Sequence, residues 1–396
     1  MKINNIQTPC FVLEQDKLLA NVSSFKSALN NRFPKNHLGY SVKTNSAPVL
    51  LSILKEEGCY AEVVSYNEYN LAKAKGFLPS QIVYNGPMKD KETFIEAIIG
   101  GAYVNIDTKR ELYWLKDLPE EGKFGVGLRL NLNLMDISPG DCKDGEMYSR
   151  FGFSDENSEF SDALEFIAGL NNVEVVGLHL HRTSKTRSLQ VYKNICNYAL
   201  KVIEKYAIKP EYLDLGGGYY GDMPGKPTYQ DYVDVIADVL SSSLDTEKIT
   251  IILEPGNAII ASPFTFYSSV IDTKYIGDDH IVVIDGSRND IDPFFHKNDY
   301  FKTIISDTEG RQTESRQVIV GCTCLENDRL FEMNDSPKLM AGDIIRFSFV
   351  GAYTLCLSPL FIRYFPNIYL QTGDTFKLSR LSWTETEYLQ LDNKIF

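Results

Sequence analysis

Residues 173–217 read VEVVGLHLHRTSKTRSLQVYKNICNYALKVIEKYAIKPEYLDLGG. Two apolar runs, 173–181 and 211–217, flank a longer segment. In that segment Leu189, Tyr192, Ile195, Ala199, Val202 and Tyr206 recur every three or four residues, which is one face of a helix. Strand, helix, strand is the building unit of a parallel sheet. How often the unit repeats decides the fold.

Outward from this stretch the same alternation extends from about residue 37 to 256. The short apolar runs are LGYSV (38–42), CYAEVVS (59–65), QIVYNG (81–86), AYVNID (102–107), FGVGLRLN (124–131), the two runs above, and ITIILEPG (249–256). Another helical segment, TYQDYVDVIADVLSSSL (228–244), opens on a threonine suited to capping. Eight such units in about 220 residues predict an α/β fold, a (β/α)8 TIM-like barrel. A doubly wound open sheet is the competing reading, and the count of eight favours the barrel. After residue 260 the texture changes. FTFYSSVIDTKYI, HIVVIDG, RQVIVGCTC and DIIRFSFVGAYT are β-rich, separated by Gly and Asp, and predict a C-terminal antiparallel β domain. FVLEQD (11–16) is not needed by the barrel and is expected to join that domain. The expected division is a barrel over 30–260 and a β domain over 1–29 with 261–396.

Composition narrows the partners. The chain has 396 residues, 43% hydrophobic and 23% charged, with a net charge of −13. That charge argues against nucleic acid and anionic membranes, which call for basic patches. No run of about 18 apolar residues suits a membrane span. The start, MKINNIQTPCFVLEQD, lacks the apolar core of a signal peptide, so a cytoplasmic location is expected. Seven cysteines at irregular spacing argue against a disulfide framework. The one close pair, Cys322 and Cys324 in GCTCLEND (321–328), has no second pair to complete a zinc site.

A barrel carries its active site where the strands end. The residues there are Lys43, Glu62, Asn85, Arg129, His179, His181, Gly216 to Gly218, and Glu254. A lysine at the mouth can form a Schiff base with a carbonyl, or simply be solvated. Three glycines after the seventh strand can cradle a phosphate or form a flexible turn. A buried Glu254 needs a partner, or serves structure alone. His179 and His181 share a strand face and can begin a metal site. The other histidines, 37, 280 and 296, are not at barrel strand ends, so no metal is expected. One lysine, one phosphate cradle, one carboxylate and one flat ring together match what pyridoxal phosphate requires.

At this point the motifs become recognisable. YSVKTN, SRFGF (149–153), HLHRTS, LDLGGG, EPG, GCTCLEND and GAYT (351–354) stand in the order found in the fold-type III pyridoxal-phosphate decarboxylases. The chain resembles that family, which includes ornithine/arginine, diaminopimelate and carboxynorspermidine decarboxylases, over nearly its whole length. The resemblance implies pyridoxal 5'-phosphate as cofactor and Lys43 as its Schiff-base residue. It implies His181 stacked on the ring, Glu254 at the pyridine nitrogen, and Ser184, Gly216, Gly217, Gly218 and Tyr353 at the phosphate. It further implies Cys324 as the proton donor to Cα, reaching into a neighbouring subunit's site, and so a homodimer with shared active sites.

Departures from the family's pattern bear on the substrate. Asn257 stands where amino-acid decarboxylases usually carry a phosphate-binding arginine. Arg182 and Thr183 replace an apolar residue and a glycine. Leu325 follows Cys324, where ornithine and diaminopimelate enzymes resemble each other in having an acid; Glu326 or Asp328 then remains to meet a distal amine. Asp292 falls near the place where diaminopimelate enzymes have an arginine for the distal carboxylate. The resulting expectation is a larger or conjugated diamino acid, such as a carboxylated polyamine or a siderophore or natural-product intermediate. The alternatives are a diaminopimelate or basic amino-acid decarboxylase, a non-catalytic partner-binding homologue, and a racemase.

Overall fold

The computed structural model describes residues 6–142, 148–221 and 223–390. All eight apolar runs become strands. They are β2 Asn36–Ser41, β3 Tyr60–Ser65, β4 Ile82–Met88, β5 Tyr103–Ile106, β6 Phe124–Arg129, β7 Val173–His179, β8 Tyr212–Asp214 and β9 Thr250–Leu253; β1, Cys10–Glu14, precedes them. β2 to β9 are all parallel and close into one barrel, with β9 pairing back onto β2. The predicted barrel is therefore the fold, and the open sheet is excluded.

The helix expected between β7 and β8 runs Leu189–Lys205. Ser188 caps it by accepting from the Val191 N–H. Its buried face comprises Val191, Tyr192, Ile195, Cys196, Ala199, Val202 and Ile203. Tyr192 Oη donates to the Gly217 carbonyl at 3.1 Å, which ties this face to the glycine loop. The helix Tyr229–Leu240 starts with a reciprocal box in which Thr228 accepts from the Asp231 N–H while Asp231 accepts from the Thr228 N–H.

The rest of the chain forms β10 Phe264–Ile276, β11 Asp279–Ile284, β12 Lys302–Ile305, β13 Thr313–Val320, β14 Arg329–Pro337, β15 Ile344–Phe347, β16 Asn367–Thr372 and β17 Thr375–Arg380. Their sheet runs β14-β13-β11-β10-β1-β16-β17, with β15 pairing β10 and β12. The N-terminal run does join it, as a central strand with Cys10, Phe11, Val12 and Leu13 fully buried. Most pairings are antiparallel as expected, but β1 with β16 and β11 with β13 are parallel. The sheet is thus mixed. The chain divides into two compact units, Met1–Leu19 with Ile260–Phe396, and Ala20–Ile259. The division falls within the helix Gln15–Arg32, upstream of the anticipated 29/30 boundary. No helix among the described residues is long and apolar enough to cross a membrane.

Candidate active site

The barrel mouth holds a connected polar layer. Lys43 sits in the one-turn helix Val42–Thr44 directly after β2. Its Nζ donates to Glu62 Oε2 and to Ser41 Oγ, both at 2.7 Å. Ser41 Oγ donates in turn to the same Glu62 oxygen at 2.6 Å. Asn85 Nδ2 bridges two carboxylates, Glu62 at 3.2 Å and Glu254 at 2.6 Å. Asn105 Nδ2 donates to Asn85 Oδ1 at 2.8 Å and to Asp214 Oδ2 at 2.9 Å. Tyr212 Oη completes the chain by donating to Asn105 Oδ1 at 2.9 Å. These residues come from β2 to β5, from β8, and from the segments that directly follow β2 and β9, which only closure of the barrel brings together.

Glu254 is 4% exposed and Asp214 fully buried. Burial raises the pKa of both, and the neighbouring Glu254 pushes Asp214 further up, well above the usual carboxyl range. Arg129 pairs with Asp107 at 2.6 Å, and Asp107 accepts from the Gly152 N–H at 2.7 Å. This anchors the SRFGF loop, whose Phe151 ring lies 4.4 Å below the Arg129 guanidinium.

The H-x-H pair does not converge on one point. The two rings are parallel with centroids 6.4 Å apart. His181 Nδ1 accepts from the Gly217 N–H at 3.2 Å, which puts the proton of the neutral ring on Nε2. Burial, then the charge of Arg129, holds the pKa of both histidines well below 6.5. His179 Nε2 lies 3.6 Å from Glu254 Oε2, beyond hydrogen-bond reach, and neither ring nitrogen has a hydrogen-bond partner.

The glycine run is less open than a phosphate cradle of three amides. Gly216 N–H donates to Asp214 Oδ1 at 3.0 Å and Gly217 N–H to His181, leaving Gly218 without a protein acceptor among the described residues. Gly216 has φ +65°, and a Cβ there would lie 2.4 Å from His181 Cβ. Gly256, after Glu254, allows the other close approach: a Cβ would lie 2.0 Å from Thr44 Oγ1. Ser184 Oγ accepts from the Arg187 N–H at 3.0 Å and keeps its own proton to donate.

A cavity of about 830 Å³ opens here, lined by Lys43, Glu62, Arg129, His179, His181 and Glu254 among others. Pyridoxal phosphate fits this donor set. There is an amine at the mouth, a buried carboxyl group, a fixed imidazole, and an enclosed histidine whose polar atoms lack partners.

In the other unit, GCTCLEND forms the turn between β13 and β14. Cys324 and Glu326 are exposed and Leu325 is 38% exposed. Cys322 is half-buried, which raises its pKa, and its N–H donates to the Gly286 carbonyl at 2.9 Å. Asp328 is not available to a substrate. It is 2% exposed and accepts from Ser287 Oγ, the Arg288 N–H, and Thr323 N–H and Oγ. Asp292 is likewise internal: 5% exposed, paired with Arg288 Nε at 3.0 Å, and an acceptor for Tyr300 Oη and the His296 and Lys297 N–H groups. Both were expected to face substrate, and both serve the fold. Tyr353 is exposed, with φ +56°. Among the residues of the polar layer, Ser41, Asn105, Tyr212 and Asp214 had no expected role. The signal for them was polar side chains inside otherwise apolar strand runs.

Comparison with known proteins accords with this geometry. The diaminopimelate decarboxylase of Aquifex aeolicus is 28% identical over 362 residues, 89% of this chain and 83% of its own length. The probable chloroplastic enzyme of rice is 26% identical, over 89% of this chain and 72% of its own. Among solved structures, the M. jannaschii diaminopimelate decarboxylase aligns with a TM-score of 0.84 at 24% identity, over 98% of this chain and 93% of that one. The Helicobacter pylori enzyme, solved with L-lysine, gives 0.84 at 23%, over 99% and 98%. At these identities the two structures speak for the fold. The family model of the pyridoxal-dependent decarboxylase pyridoxal-binding domain matches residues 17–261, more than half the chain. The chain therefore belongs to the fold-type III pyridoxal-dependent decarboxylases, enzymes that release the carboxylate of an amino acid with pyridoxal phosphate as cofactor.

Proposed function

We propose that this chain removes one α-carboxylate, as CO2, from a diamino acid of the diaminopimelate type. The observation that carries the reading is the likeness to diaminopimelate decarboxylases along 89% of the chain. The case for a larger conjugated substrate rested on Asp292, Asp328, Glu326 and Leu325. Asp292 is neutralised by Arg288 and enclosed, so it does not repel a distal carboxylate, and Asp328 is occupied within its own loop. Leu325 alone still favours a longer or conjugated amino acid, such as a carboxylated polyamine or a siderophore intermediate, because leucine offers no charge to an ammonium group.

When bound, the cofactor supplies an electron sink for the pair left by CO2. In our reading Lys43 Nζ anchors it, and Glu62 with Ser41 holds that amine in place. Glu254 would accept from the pyridine nitrogen. His181, fixed by Gly217, would offer its ring face to the cofactor. The Gly218 amide, Ser184 Oγ and Tyr353 Oη would hold the phosphate. Cys324 Sγ delivers a proton to the substrate Cα after CO2 leaves, a general-acid role. It acts in the site of a second copy, which makes the working unit a homodimer.

A screen of CO2 release over diaminopimelate, basic amino acids, carboxynorspermidine and citrate-linked diamino acids tests the substrate. Diaminopimelate, whose decarboxylation leaves lysine, is expected to react fastest. Preference for a conjugate would return Leu325 to the centre of the argument. Bound cofactor with no CO2 from any compound would indicate a non-catalytic relative, and an inverted amino acid without CO2 a racemase.

A further inference from the structure

Asp214 ends β8 with its carboxyl group wholly enclosed. One oxygen accepts from the Gly216 N–H at 3.0 Å and the other from Asn105 Nδ2 at 2.9 Å. No ion pair joins it to a cation among the described residues, since Lys43 pairs with Glu62 and Arg129 with Asp107. Its remaining neighbour is another carboxyl group. Glu254, on the loop after β9, brings a carboxyl oxygen within 4.8 Å of one from Asp214, with a ring nitrogen of His179 within the same distance of both. The Glu254 N–H also donates to the Gly216 carbonyl at 2.7 Å, which fixes the two acids side by side.

Two buried carboxyl groups this close cannot both ionise at modest cost, which favours one shared proton. The surroundings say where it resides. Glu254 accepts a 2.6 Å hydrogen bond from Asn85 and feels the positive charges of Lys43 and Arg129. Asp214 faces Glu254, Tyr212, Asn105 and, further off, Glu62, none of them cationic. His179 is held neutral and does not compete as a cation.

We propose that Asp214 is a positioning residue that acts as a neutral acid, donating its proton to Glu254 and so keeping Glu254 the carboxylate that faces the pyridine nitrogen. The role given to Glu254 rests on the function proposed above; the shared proton does not.

Infrared spectroscopy of the full chain, without and with pyridoxal phosphate, tests this at about pH 7. A protonated carboxylic-acid stretch is expected in the wild type and shifts when aspartate is isotopically labelled at its carboxyl carbon. It disappears in Asp214→Asn and persists in Glu254→Gln. Absence of the band, or its survival in Asp214→Asn, overturns the proposal. Turnover gives the second readout. Asp214→Asn still offers Glu254 an N–H and should keep most of kcat. Asp214→Leu should lose about 10- to 100-fold in kcat with KM little changed, the usual scale for removing the partner of a site residue. Equal loss in both variants, with the infrared band unchanged, would mean a merely structural role. A protein that shows the band but never binds the cofactor would defeat the proposed function and leave the Asp214 proton standing.

Discussion

Lys43 and Glu62 form an ion pair in which the acid is buried and the amine reaches the cavity. Loss of that amine is predicted to be more damaging than loss of any other single group. Lys43→Ala should abolish the visible absorbance of bound cofactor, and retention of that absorbance would remove Lys43 from the site. Cys324→Ala is predicted to keep the cofactor but lower kcat by about 10²- to 10⁴-fold, the span of a lost general acid; unchanged turnover would exclude the thiol. The gathering of Lys43, Glu62, Asn85, His181 and Glu254 at one mouth was legible because parallel strands of a barrel all end on the same face. Asp292 and Asp328 were misread because a sequence gives a residue's charge but not its partner. One clue was present: Arg288 and Asp292 are spaced i,i+4, the separation that brings them into contact.

At the scale of elements, the turn carrying Cys324 is organised by Asp328, which gathers four donors from two segments. Asp328→Ala leaves buried N–H and hydroxyl groups unpaired, and should cost about 2–4 kcal/mol, read as a fall in the midpoint of thermal or denaturant unfolding. A change within about 0.5 kcal/mol would contradict the account of this loop. The eight barrel strands were visible as apolar runs, even β8 with three paired residues, because the helices between them impose the spacing. The direction of pairing in the second sheet was not. Alternation of side chains with period two is the same in parallel and antiparallel strands. The parallel partner of β1 lies near the other end of the chain and that of β11 follows a crossover past β12, so neither pairing leaves a local signature.

At the scale of the whole molecule, the first residues of the chain complete a sheet built mostly from the last third. β1 lies between β10 and β16, so removing it would open two edges at once. Phe11→Ala, at a fully buried position against Phe264 and Phe266, should therefore cost about 3–5 kcal/mol, read by calorimetry. A shift below about 1 kcal/mol would mean that β1 is not integral to this unit. The helix after β1 runs unbroken from Gln15 to Arg32, so neither the expected boundary at 29/30 nor the division at Leu19/Ala20 coincides with a break in the chain's secondary structure. In the proposed reaction barrel, lysine and cofactor act together. The most direct test supplies carboxyl-labelled diaminopimelate to the pyridoxal-phosphate-loaded protein and measures labelled CO2 against Lys43→Ala. Continuous release of CO2 with lysine in equal amount is expected from the wild type, and none above background from the variant. Equal release from both proteins, or none from a wild type that holds its cofactor, would contradict the proposed reaction.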